Sequence, residues 1–111
     1  MYGKLVFVSQ PMKRRSNKEI LDERNAFLQD TQVSNRIMDE LGTDGFNVIE
    51  SIVDCGIMLG VKSDPVYYLS KSFDKLALAD LAVFMPGWER SDGCVMEHHA
   101  CMLYGIPHLD F

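Results

Sequence analysis

No apolar run in this chain of 111 residues approaches the roughly 20 residues that a membrane-spanning helix needs. Cysteines are few and odd in number. Cys55, Cys94 and Cys101 have no framework spacing, which argues against a disulfide scaffold and for a reducing, cytoplasmic setting. Basic residues are scarce as well. Eleven Lys and Arg stand against 16 Asp and Glu, for a formal net charge of −5, so a general nucleic-acid surface is not expected. Neither a linker nor an internal repeat divides the chain. What is present is an ordinary globular composition, 47% hydrophobic and 24% charged. The length supports one domain, residues 1–111, around a single modest core. The opening residues read as the lead into a strand rather than a signal peptide.

The chain alternates strand and helix patterns. Leu5, Val6, Phe7 and Val8 form an unbroken run of β-formers, which predicts a buried strand over 4–9. Pro11 lies in a loop over 10–17 that carries Lys13, Arg14 and Arg15. Ser16-Asn-Lys-Glu19 has the form of a capping box, so a helix should start near Asn17. Its inner stripe is expected to hold Ile20, Arg24, Phe27 and Leu28. The helical pattern continues through Ile37, Met38 and Leu41, with a break expected within 31–34. It ends between Gly42 and Gly45. Further strands are expected over 47–53, 81–85 and 106–109, and a loop over 55–64. Further helices are expected over 65–79, where Pro65 suits the first turn, and over 93–104, ended by Gly105. This alternation implies a three-layer α/β sandwich with a mainly parallel sheet of four or five strands and right-handed crossovers. The first and third strands would then deliver their loops to the same edge.

Three features should converge on that edge. Glu97 follows an apolar strand and a polar loop, Pro86-Gly-Trp-Glu-Arg-Ser-Asp-Gly93, and lies near a helix start. Ser91 or Asp92 would cap that helix. The free N–H groups there, with Gly93 among them, favour an anion such as a phosphate. The facing loop holds three consecutive cations. Trp88 and Phe7 can offer aromatic faces to a flat ligand. From position alone, Glu97 is either a helix-dipole partner or a chemical group. As a nucleophile it could attack a sugar anomeric carbon and form a glycosyl-enzyme intermediate. Cys94, His98 and Cys101 follow at i, i+4 and i+7, but metal ligation needs a fourth group, and the two cysteines read as small core residues. No metal and no cofactor are expected.

Together the segments Val8-Ser-Gln-Pro-Met12, Ser16-Asn-Lys-Glu-Ile20, Glu23-Arg24, Leu69-Ser-Lys-Ser72, Ala79-Asp80, Pro86-Gly-Trp88 and Gly93-Cys-Val-Met-Glu-His98, with Ala100 and Tyr104-Gly-Ile106, resemble the small DUF4406-type proteins of phages, prophages and bacteria. Those proteins are similar to the nucleoside 2-deoxyribosyltransferase superfamily. The resemblance spans nearly the whole chain in order. It implies a flavodoxin-like sheet, a homodimer or higher homo-oligomer, and cleavage or exchange of the N-glycosidic bond of a deoxynucleoside or nucleoside monophosphate. By the same resemblance Glu97 is the nucleophile. Ser91 and Gly93 hold phosphate with help from Arg14 or Arg15. Ser9, Gln10, Met12 and Trp88 belong to the substrate-binding set. Ser72 stands where the superfamily carries an Asp, and Phe7 where it carries a Tyr. Asp74 and Asp92 are the candidate acid partners, with Glu89 and the Asp110 of a second copy to be considered beside them. The alternative is a non-catalytic nucleotide sensor or sequestering module, or a protein-interaction module of a mobile element.

Overall fold

A computed structural model describes residues 3–50, 62 and 64–111. The apolar runs form strands β1 (Leu5–Ser9), β2 (Asn47–Val48), β3 (Leu81–Phe84) and β4 (His108–Asp110). All pairings are parallel, in the order β2-β1-β3-β4. The helices are α1 (Asn17–Gln29), α2 (Thr31–Leu41), α3 (Asp64–Leu76) and α4 (Asp92–Tyr104), and a 3₁₀ turn covers Trp88–Arg90. This is the expected flavodoxin-like three-layer α/β fold, with four strands. The expected extension of β2 over 51–53, and most of the loop expected over 55–64, lie outside the described residues.

Alternation along the strands sorts the core into two faces. Val6, Val8, Leu81 and Val83 pack with Ile37 of α2 and with Phe27 and Leu28 of α1. Phe7, Ala82 and Phe84 pack with Leu76 and Phe73 of α3 and Cys101 of α4. The register places Val6 beside Leu81 and Val8 beside Val83. Both faces of β1 and β3 are therefore covered, and their sequences read as continuous apolar runs rather than alternating ones.

Local chemistry sets the helix ends. The Ser16 hydroxyl accepts from the Glu19 amide at 3.1 Å, and the Glu19 carboxylate accepts from the Ser16 amide at 3.3 Å, so the capping box forms. The expected break falls at Asp30, whose carboxylate accepts from the Gln32 and Val33 amides and starts α2. Asp30→Ala should cost about 1 kcal/mol. Urea unfolding would then show a lower midpoint at an unchanged slope, and an unchanged midpoint would refute the role of this cap. Gly42 and Gly105 end α2 and α4 in the left-handed region, at φ 69° and 68°, where a Cβ is disfavoured.

Candidate functional site at the β1–β3 edge

The strand order creates the site. From β1 the chain crosses to β2 on one side, then returns past β1 to β3 on the other. Such a reversal leaves a crevice beyond the carboxyl ends of the central strands. The Met85 amide donates to the Ser9 carbonyl at 3.0 Å, holding the ends of β1 and β3 together. Beyond them Gly87, at φ 91°, turns the chain into the 3₁₀ segment, and Ser91 caps α4.

The inward stripe of α4 is Cys94, Glu97 and Cys101, at i, i+3 and i+7 on one helix face. Burying a carboxylate there is costly unless it is hydrogen-bonded. Glu97 is 6% exposed, and the Ser9 hydroxyl donates to its Oε1 at 2.7 Å. Burial pushes its pKa up from 4.5 to about 7, and the hydroxyls of Ser9 and Ser72 hold it back from rising further. Near neutral pH Glu97 is therefore poised between acid and carboxylate. Burial also raises both thiols, Cys101 to about 11. They stay protonated and behave as core residues, as the sequence suggested.

Two chambers with shared walls lie at this edge, and Glu97 lines the inner one. The inner one is a cavity of about 150 Å³. Its apolar walls include Phe7, Met12, Tyr68 and Leu69, and its polar groups are Ser9, Gln10, Ser72, Ser91 and Glu97. The outer groove, about 970 Å³, shares Met12, Pro65, Tyr68, Ser91 and Gly93 with it and adds Lys13, Arg15, Arg90 and Asp92. Among the described residues, three cations against one carboxylate make this rim positive in an otherwise acidic chain. The loops after β1 and β3 thus meet as the strand order requires.

Several expected residues lie elsewhere. Arg14 sits at φ 64°, is exposed and lines neither chamber, so the cations of the rim are Lys13, Arg15 and Arg90. Arg15 also pairs with Glu23 at 3.0 Å. Trp88 lines neither chamber. Its ring stacks on His98 at 4.0 Å and 15°, and it packs against Phe84. His98 is in turn 3.0 Å from the Asp110 carboxylate of the same chain. Asp74 is exposed on α3 and lines neither chamber, nor does Glu89. Asp92 lines only the outer groove. Glu97 is the single carboxylate among the described residues of the inner chamber.

Sequence reasoning missed Tyr68, Leu69 and Arg90. A signal for the first two was present. Pro65, Tyr68, Leu69 and Ser72 fall at i, i+3, i+4 and i+7, a helical stripe aimed at one neighbour. Arg90 gave no such signal, because the 3₁₀ turn that carries it leaves no periodic mark in three residues.

No family model matches the sequence, and no curated protein matches it either. Among solved structures the chain is similar to a conserved protein from Enterococcus faecalis V583, at 16% identity and a TM-score of 0.56. The likeness covers 96% of this chain and 62% of that one, so this chain spans under two thirds of that protein's length. At this identity the two have the fold in common, and the α/β arrangement drawn from the sequence recurs in a solved structure.

Proposed function

We propose that the chain is a deoxyribosyltransferase-like protein of the DUF4406 type that binds a nucleoside monophosphate and cleaves its base–sugar bond. The observation that carries this reading is the buried Glu97 carboxylate, hydrogen-bonded to Ser9 in the wall of a largely apolar inner chamber that shares lining residues with a cationic outer groove. The inner chamber takes the base. The outer groove takes the phosphate, against Ser91, the α4 start, Lys13, Arg15 and Arg90. Ionised Glu97 attacks the anomeric carbon while the glycosidic electron pair leaves with the base. Water then attacks the glycosyl ester, releasing sugar phosphate and restoring Glu97. Ser72, at the superfamily's acid position, brings a hydroxyl and no carboxyl, so the departing base takes its proton from solvent.

Incubation with nucleoside monophosphates, followed by chromatography of free base, tests this. Wild type should release base and Glu97→Ala should not. Equal background from both would exclude hydrolysis of those substrates. Ser72 in place of an acid favours a second reading, a nucleotide sensor without turnover. Calorimetric binding with no base release would select it.

The assembly belongs to the same reading, in a reducing, cytoplasmic setting. No described helix is long and apolar enough to cross a membrane. The outer side of α4 exposes Val95, Met96, Met102 and Leu103, so this helix carries apolar residues on two faces. A second copy covering that side would make a homodimer. Light scattering should then give twice 12.6 kDa, and Leu103→Glu should lower the mass toward one chain. A wild-type mass of one chain would refute the dimer.

A further inference from the structure

The helix that carries Glu97 turns another face to the edge strand. Cys94 and Cys101, which share a helical spacing with His98, are buried on the inward stripe with Glu97. His98 lies about 100° round the helix from Glu97 and meets β4 instead. His108 and Asp110 stand two apart on β4, so their side chains leave the same face of the strand. Among the described residues, His98, His108 and Asp110 form a group whose metal-binding atoms all lie within 4.8 Å of one another.

The geometry of the three groups is fixed from several sides. His98 Nε2 is 3.0 Å from each Asp110 oxygen. The His108 ring stands edge-on to that of His98, with centroids 4.9 Å apart. His108 Nδ1 is 3.0 Å from the Ile106 carbonyl. A carbonyl only accepts, so this contact assigns the proton to Nδ1 and leaves a lone pair on Nε2. Metal-bound histidines donate their second nitrogen in this way, which sets tautomer and ring orientation. Phe84 packs on both rings, at 4.8 Å and 6.1 Å, and Trp88 stacks on His98 at 4.0 Å. The group is open to solvent, because β4 is an edge strand and the Asp110 side chain is 46% exposed. An ion pair accounts for His98 and Asp110 but gives the imidazole of His108 no part.

We infer that His98, His108 and Asp110 bind a divalent transition-metal ion of the zinc type, which ties the edge strand β4 to α4. Imidazoles with a carboxylate suit zinc, whereas magnesium and calcium take oxygen ligands. Zinc–ligand bonds of about 2.0–2.2 Å set the ligand atoms roughly 3.3 Å apart, inside the 4.8 Å span of this group. Three protein ligands leave the fourth tetrahedral position to water or to an exogenous ligand. The site does not depend on the nucleotide reading given above.

The test uses the full chain, stripped of metal with a chelator. Calorimetric titration with Zn²⁺ gives the stoichiometry, and titration with Co²⁺ is followed by tryptophan fluorescence. Trp88 is the only tryptophan and lies against His98, so a paramagnetic ion bound there quenches it. Wild type should take up one equivalent of Zn²⁺ and show saturable quenching by Co²⁺. Zn²⁺ should restore the emission by displacing Co²⁺, and an excess of Mg²⁺ should not. Asp110→Asn keeps the shape of the carboxylate, and His108→Phe keeps a ring against Phe84. Each should weaken binding by roughly 100-fold or more, since a group that only supports a ligand is already worth about 10- to 100-fold. His99→Ala, at the exposed next position, should bind as wild type does. Circular dichroism checks that each variant is folded. Absence of saturable heat and of saturable quenching in wild type would overturn the site. Wild-type affinity in both ligand variants would move the ion elsewhere and overturn it as well, as would Mg²⁺ displacing Co²⁺ as readily as Zn²⁺ does.

Discussion

Glu97→Gln should abolish base release and also make the protein more stable above pH 7. Both effects come from one buried carboxylate. Its pKa rises from 4.5 unfolded to about 7 folded, chiefly through burial. The folded state therefore binds this proton more tightly than the unfolded chain does. The stabilisation this brings is complete below about pH 4.5, falls as pH climbs toward 7, and is absent above it. A shift of this size corresponds to at most about 3 kcal/mol. Gln carries no charge to bury and can still accept from the Ser9 hydroxyl. Urea unfolding at pH 8 should show Glu97→Gln about 1–3 kcal/mol more stable than wild type, with a flatter profile between pH 5 and pH 7. A variant that is no more stable at pH 8 would show that burial does not strain this group. Turnover should fall on the order of 10³-fold or more, because the proposed nucleophile is gone. In wild type the rate should climb about tenfold per pH unit below 7 and level off above it, since the proposed attack needs the ionised form. Gain of stability with loss of turnover is the trade expected of a functional site.

Phe84→Ala should cost about 3–5 kcal/mol, a large part of the roughly 5–15 kcal/mol that stabilises a domain. Phe84 is fully buried in β3. Its ring meets Trp88 at 5.6 Å, His98 at 4.8 Å and His108 at 6.1 Å. Removing it leaves a hole beneath the stacked Trp88–His98 pair and loosens the turn that leads into α4. Trp88 is the only tryptophan, so its fluorescence reports the change directly. Val66→Ala, at a position 63% exposed on α3, should stay within about 0.5 kcal/mol. A cost below about 1 kcal/mol for Phe84→Ala would mean that the ring cluster is not packed as described.

Much of the fold was legible because its signals are local. The capping box at Ser16, the break satisfied by Asp30, and the terminal glycines Gly42 and Gly105 act within a few residues of themselves. The unbroken apolar runs of β1 and β3 marked strands buried on both faces. Side-chain direction was less legible. Trp88 was expected to face a ligand, yet it lies flat on His98, a partner ten positions away that only the 3₁₀ turn and α4 bring under it. Arg14 sits among the loop cations, but a left-handed φ of 64° falls on it alone of the three. Asp74, a candidate acid partner, is exposed and lines neither chamber, because two residues past Ser72 it is turned about 200° around α3.

The sequence by itself determined the α/β class, most element boundaries and the position of Glu97 near a helix start. Periodicity, caps and breakers depend on neighbours along the chain, and those the sequence states outright. Tertiary structure alone decided that Glu97 is buried against Ser9 rather than paired with the helix dipole at the surface. It also decided that Arg90 joins Lys13 and Arg15 on one rim. The physical reason is the crossover past β1. It sets residues 88 positions apart, Ser9 and Glu97, within 2.7 Å, and the desolvation that raises the Glu97 pKa exists only once that contact has formed.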